Sequence, residues 1–180
     1  MIKHIAFLKA INVGGHTVKM DQLKNLFEII GFEKVETFIA SGNVIFESKS
    51  KNVDLIKKKI ETELEKSLGY KVATFIRTIN ELLEIAEYEP FKASELKNEN
   101  NSLYIAFLDN QPTKENQTNA KAFQDDANEF HFYKNEMYWL CRKNFSDSGI
   151  TGKKLEKALG METTLRNSTT IKKIADKFSY

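Results

Sequence analysis

Two polar clusters in this chain carry the residue types that bind anions. The first joins Asn12, Gly14 and Gly15 to Ser41, Gly42 and Asn43, and the second is Arg166 and Asn167 inside the run Thr163 to Thr170. Glycine lets a ligand approach the backbone closely, and the neighbouring amide and hydroxyl side chains add donors. Lys9 and Lys19 bring positive charge to the first cluster. Arg166 offers a planar fork that matches a carboxylate or phosphate. Both clusters also have a purely structural reading. Gly14-Gly15 turns the chain, and Gly42-Asn43 closes a tight hairpin of the II′ kind. Ser168 or Thr169 caps a following helix, while Arg166 pins its strand by pairing with an acidic neighbour. The glycine spacing fits neither a Walker loop nor a dinucleotide fingerprint.

The remaining reactive side chains point away from metal and covalent chemistry. His4, His16 and His131 are scattered without metal-ligand spacing, so neither a metal nor a cofactor is expected. Cys141 alternates with Met137 and Trp139 along a strand and reads as a core thiol with no base beside it. Asp125-Asp126 reads as a solvated helix end. No residue is assigned a catalytic role. Tyr104, Tyr138 and Trp139 fall on the strands where an RNA-recognition motif stacks bases. The consensus of that motif is absent, and packing within the fold is the simpler use of these rings.

The elements that must position these clusters follow from hydrophobic periodicity. Ile5–Ala10 reads as a buried strand, Met20–Ile30 as a helix ended by Gly31, and Val35–Ala40 with Val44–Glu47 as a strand pair. Val53–Leu68 is a long amphipathic helix closed by Gly69, and Val72–Ile76 a fourth strand. A helix over Glu81–Glu87 and a polar connector from Pro90 to Asn101 follow. The order then recurs: strand Leu103–Leu108, helix Lys114–Ala127, strands Phe130–Tyr133 and Met137–Cys141, helix Lys153–Leu159, short strand Thr163–Leu165 and helix Thr170–Phe178.

Residue matches support duplication. Ile5-Ala6-Phe7-Leu8 recurs as Ile105-Ala106-Phe107-Leu108, and Leu64-Glu65-Lys66-Ser67-Leu68-Gly69 as Leu155-Glu156-Lys157-Ala158-Leu159-Gly160. Arg77 with Leu82, Ile85 and Ala86 is echoed by Arg166 with Ile171, Ile174 and Ala175. The three matches keep their order at offsets of 100, 91 and 89. An internal repeat fixes architecture before any other feature. The expected fold is therefore α+β, two tandem ferredoxin-like βαββαβ subdomains with mainly antiparallel sheets and helices on one face. The first spans 1–90 with its trailing helix and the second 101–180 with the C-terminal helix. Right-handed crossovers put the loop after strand one and the turn between strands two and three at one end of the sheet. That brings Asn12, Gly14 and Gly15 beside Ser41, Gly42 and Asn43, next to the N-terminus of the first helix.

Composition narrows the classes. The 180 residues are 41% apolar and 29% charged, ordinary for a globular chain. No apolar run reaches the roughly 18 residues of a membrane span, and no signal peptide is read at the start. A single cysteine suits a reducing compartment, so a cytoplasmic location is expected. Lys and Arg outnumber Asp and Glu 13 to 9 over residues 1–77 and 9 to 4 over 137–180, but fall behind 5 to 12 over 78–136. A sequence pI near 8.5 stays below the ~9 typical of nucleic-acid binders.

Leu8-Lys9-Ala10-Ile11-Asn12-Val13-Gly14-Gly15, followed by Met20 and Leu23, resembles the opening LRGINVGG…M..L of the family called domain of unknown function 1697. Thr37 to Phe46 is similar to that family's TYIQSGNVVF, and Thr163 to Ile171 to its closing T.RNW.TV. Lys9-Ala10 stand where the motif has Arg-Gly, Ala40 where it has Gln, and Ser168 where it has Trp. The resemblance implies paired ferredoxin-like subdomains and no particular activity. Its signature segments coincide with the two polar clusters. The expected function is a binding module for a small anionic ligand. The alternatives are an enzyme acting on an anionic or phosphorylated small substrate, and a nucleic-acid or protein-interaction module. The sequence leaves oligomeric state open.

Overall fold

In the computed structural model, which describes residues 1–12 and 15–179, the first strand β1 (Ile2–Leu8) is buried from His4 to Leu8. Side chains alternate across a strand, so an unbroken buried run means that both faces are shielded. β1 is flanked by β3 (Asn43–Ser48) and β4 (Thr74–Thr78), and β2 (Glu33–Thr37) pairs on the far side of β3. The order is β2-β3-β1-β4, with every pairing antiparallel. Helices α1 (Met20–Ile29) and α2 (Val53–Leu68) supply the two crossovers. Their buried stripes, Leu23, Leu26 and Phe27 with Ile56, Ile60 and Leu64, close onto Ala6, Leu8, Val44, Phe46 and Ile76.

The order then repeats. β5 (Ser102–Phe107), β6 (Asn128–Tyr133), β7 (Glu136–Cys141) and β8 (Thr164–Asn167) form a second antiparallel sheet in the order β6-β7-β5-β8. Its core is built by α5 (Lys114–Lys121) and α6 (Gly152–Leu159) around the fully buried Trp139. Register shows the duplication at the level of single residues. Ile5 pairs with Arg77 and Ile105 with Arg166, and Leu8 N–H donates to Gly42 O just as Leu108 N–H donates to Asn135 O. Both second crossover helices end on a left-handed glycine, Gly69 and Gly160. The molecule is α+β, a duplicated ferredoxin-like arrangement.

Each unit carries a helix after its last strand, α3 (Ile79–Glu87) and α7 (Ser168–Phe178), and a short α4 (Ala93–Leu96) lies between α3 and β5. Contacts divide the chain into two compact units, 1–83 with 178–180, and 84–177, so the division falls inside α3.

Strand ends shift by a few residues, with β1 at Ile2–Leu8 rather than Ile5–Ala10 and β4 at Thr74–Thr78 rather than Val72–Ile76, and three connections differ in kind. The Pro90–Asn101 connector is not wholly irregular, because α4 forms in it. The helix predicted to Ala127 stops at Lys121, where the Asp125 carboxylate accepts from the Ala127 and Asn128 amides and from Asn128 Nδ2, closing a turn instead. The β2–β3 connection is not a two-residue II′ hairpin. It spans Phe38 to Gly42, closed by a Phe38 N–H to Asn43 O bond of 2.9 Å.

Candidate functional site

The loop after β1 and the β2–β3 connection are neighbours, as the strand order demands. Asn12 Nδ2 donates to Ala40 O at 3.0 Å, and Asn12 Oδ1 accepts from the Val18 amide at 2.6 Å. Asn43, fully buried, donates through Nδ2 to Phe38 O at 3.0 Å and to Ser41 Oγ at 2.9 Å. Gly42 has φ +74 and packs so tightly that an added Cβ would stand 2.6 Å from a methyl of Ile11. These polar groups therefore bind the chain to itself, loop to turn, rather than facing solvent as a ring of donors. Gly15 is exposed with φ +89, and Gly14 lies outside the described residues. α1 begins beyond this cluster with Lys19 at its cap and no side-chain hydrogen bond closing it.

One family signature residue is explained by backbone alone. Ala10 is exposed and has φ 53, the left-handed region, at the position where the family motif carries glycine. Ala10→Gly is expected to stabilise the protein by about 0.5–1 kcal/mol, since a Cβ is disfavoured there. A rise in urea midpoint checks it.

The second cluster separates into two roles. Arg166 is 8% exposed, and its Nη1 donates to Thr164 Oγ1 and Leu165 O, both at 2.9 Å. Burial pushes its guanidinium down to about 10. The cap of α7 is Asn167, not Ser168 or Thr169, because its Oδ1 accepts from the Thr169 amide at 2.9 Å. The helix starts directly at the end of β8, which moves the cap one residue earlier. In the first unit Thr78 holds the same place before α3, its hydroxyl accepting from the Glu81 amide at 3.2 Å while Glu81 reaches back to the Thr78 amide at 2.7 Å. That reciprocal pair is a capping box.

With Asn167 capping, Ser168 and Thr169 are free for another use. They line a cavity of about 140 Å³ in the second unit, on the sheet face opposite α5 and α6. Leu103, Ile105 and Leu140 form its floor, the first turns of α7 with Lys172 one wall, and Ile85, Ala86, Tyr88 and Glu89 the other. Asn101 and Ser102 stand at the entrance to β5. Lys172 Nζ lies 3.7 Å from Glu89 Oε1, both side chains about half exposed at 52% and 54%. Reading the sequence missed Lys172, Glu89, Asn101 and Ser102. The i,i+4 spacing of Ser168 and Lys172 on one helix face was the available signal.

Other candidates are structural. Cys141 is fully buried and donates to Lys143 O, and Tyr138 and Trp139 are fully buried, so neither ring presents a stacking face. Among the described residues no three His, Cys, Asp or Glu side chains gather as metal ligands. No helix among them is long and apolar enough to cross a membrane. His4 is buried, and its Nδ1–H donates to Ile2 O at 3.0 Å. Desolvation holds its pKa below the usual 6.5, outweighing the opposing pull of that carbonyl and of Glu81. His131 is shifted the same way by burial. The folded state therefore binds fewer protons than the unfolded chain below ~6.5, so stability present at pH 7 is lost as pH falls through that window. The urea midpoint is expected to drop between pH 7 and 5, and to drop less in His4→Leu.

The architecture defines a duplicated ferredoxin-like protein with a small cavity in its second unit. The chain belongs to the family described as protein of unknown function (DUF1697), whose profile matches residues 1–138. Among solved structures it is similar to a conserved bacterial protein from Streptococcus pneumoniae, with a TM-score of 0.75 and 22% identity over 100% of this chain and 99% of that one. At that identity the likeness concerns the fold. No curated protein matches the sequence significantly.

Proposed function

We propose that this protein is a binding module for a small anionic ligand, and that the ligand sits in the cavity at the N-terminal end of α7. One observation carries the reading: Ser168, Thr169 and Lys172 line a concave space together with Tyr88, Asn101, Ser102 and Asn167, and its one carboxylate, Glu89, is paired with Lys172. A helix N-terminus favours negative charge, and hydroxyls and an ammonium add directed donors. The space has an apolar floor of Leu103, Ile105 and Leu140, and polar side chains around it that can fix a ligand's orientation. Its polar lining is donors and one ion pair rather than a nucleophile beside a base, which favours binding over catalysis. The cytoplasm, where a buried free thiol persists, remains the proposed location.

A thermal-shift panel of inorganic phosphate, acetate and longer carboxylates tests the reading. A ligand at 100 times its dissociation constant is expected to stabilise by ~2.7 kcal/mol. Ser168→Trp restores the family's residue at this position and places an indole against a 140 Å³ space. It is expected to keep the fold and abolish the ligand shift. If a ligand that stabilises the wild type stabilises this variant equally, the cavity is not its site. Binding of a labelled single strand that weakens steeply with salt would instead support the nucleic-acid alternative.

A further inference from the structure

We infer that the ligand is a zwitterion, a small apolar α-amino acid, with its carboxylate at Lys172 and the α7 N-terminus and its ammonium at Glu89. The inference rests on the anion-site reading above and adds the second charge. Glu89 lies on the cavity wall only 3.7 Å from Lys172. A simple anion bound at Lys172 meets that carboxylate at close range and loses part of its attraction. A ligand carrying both charges meets each with its opposite. Opening the existing pair costs little, because an ion pair between half-exposed side chains is screened by solvent.

The rest of the cavity sets the ligand's body. Leu96, Leu103 and Leu140 give an apolar lining, and 140 Å³ is close to the ~150 Å³ of a dry cavity that accommodates benzene. An aliphatic side chain of about three or four carbons fits that space.

The repeat provides an internal control. In the first unit a groove at the equivalent place is lined by Ile2, Lys3, Thr78, Ile79 and Asn80 with Phe178. The offset of 89 residues that relates Arg77 to Arg166 relates Phe178 to Glu89 and Leu83 to Lys172. The framework therefore folds with apolar residues at both charged positions, and folding does not account for the Lys172–Glu89 pair.

The experiment compares L-alanine, L-valine and L-leucine with 3-methylbutanoate and isobutylamine, by calorimetry and thermal shift on wild type and Glu89→Gln. At least one amino acid is expected to bind wild type at least tenfold more tightly than 3-methylbutanoate. Glu89→Gln is expected to remove that advantage while leaving 3-methylbutanoate no weaker. If 3-methylbutanoate or phosphate binds as well as every amino acid, and Ser168→Trp abolishes it, the zwitterion inference falls and the anion site stands. If no amino acid, carboxylate or phosphate binds, both fall.

Discussion

Gly42→Val is expected to lower the unfolding free energy by about 2–5 kcal/mol, combining left-handed strain of ~1–2 with overpacking of ~1–3. The residue has φ +74, which a β-branched side chain adopts only under strain. Its added Cβ would meet Ile11 Cγ2 at 2.6 Å and Leu8 Cβ at 3.1 Å. Ile11 and Leu8 are themselves 1% and 0% exposed, so neither has open space to retreat into. Gly42 O also accepts the Leu8 amide at 2.8 Å, so displacing the turn breaks the last rung of the β1–β3 pairing. Urea unfolding measures the loss. The competing idea is that Gly42 is glycine so that a ligand can touch its backbone. On that idea the substitution would leave the urea midpoint intact and remove binding. The observed packing predicts the opposite pattern, with large destabilisation and the α7 cavity untouched in the surviving folded fraction.

Gly42 also shows what sequence can and cannot reveal here. Its place beside Asn12 followed from the βαββαβ order, because periodicity and repeated segments located the strands and right-handed crossovers did the rest. The role of the cluster did not follow. Asn12 bonds a carbonyl at Ala40, 28 residues away, and no local pattern announces such a partner. Strand ends were equally hidden. β4 runs through Arg77, which lies on the sheet face opposite α1 and α2 and is 8% exposed, so a buried strand position looks polar in sequence. α5 has Ala120 as its one buried residue, and with so little apolar signal its end is set by the Asp125 turn rather than by periodicity.

The cavity was the least legible feature. Its walls come from α3, the α4 connector, β5, β7 and α7, so its residues are spread from Ile85 to Lys172. Ser168 and Thr169 were visible as hydroxyls at a helix start, and capping chemistry accounts for such residues so readily that a second use is masked. Only the geometry, with Asn167 already in the cap, releases them. The repeat then separates framework from site: what both units share, such as the strand-end Arg followed by a capping residue, serves the fold, and what only one unit has is open to function.

Arg166→Lys tests that separation, and is expected to cost about 3 kcal/mol, since hydrogen bonds from charged donors are worth ~1.5–3 each and a lysine cannot reproduce the fork. Arg166 Nη1 bonds Leu165 O, the carbonyl of the preceding residue, and Arg77 Nη1 bonds Ile76 O in the same way at 2.8 Å. Both arginines are 8% exposed and both face an isoleucine of the neighbouring strand, Ile105 and Ile5. A contact that duplication preserved in both units is a brace for the last strand, not a ligand clamp peculiar to one. The Thr164 hydroxyl, itself buried, adds a second acceptor to the guanidinium. A buried ammonium in its place keeps the charge but satisfies fewer of these acceptors. For a protein of this size a loss of about 3 kcal/mol lowers the melting temperature by roughly 6–12 °C. The affinity of any ligand for the α7 cavity is expected to stay within twofold in the folded variant, because Arg166 is not among the residues lining it. A variant that melts like wild type but binds tenfold more weakly, a change of about 1.4 kcal/mol, would return Arg166 to the site and make the shared contact with the preceding carbonyl incidental.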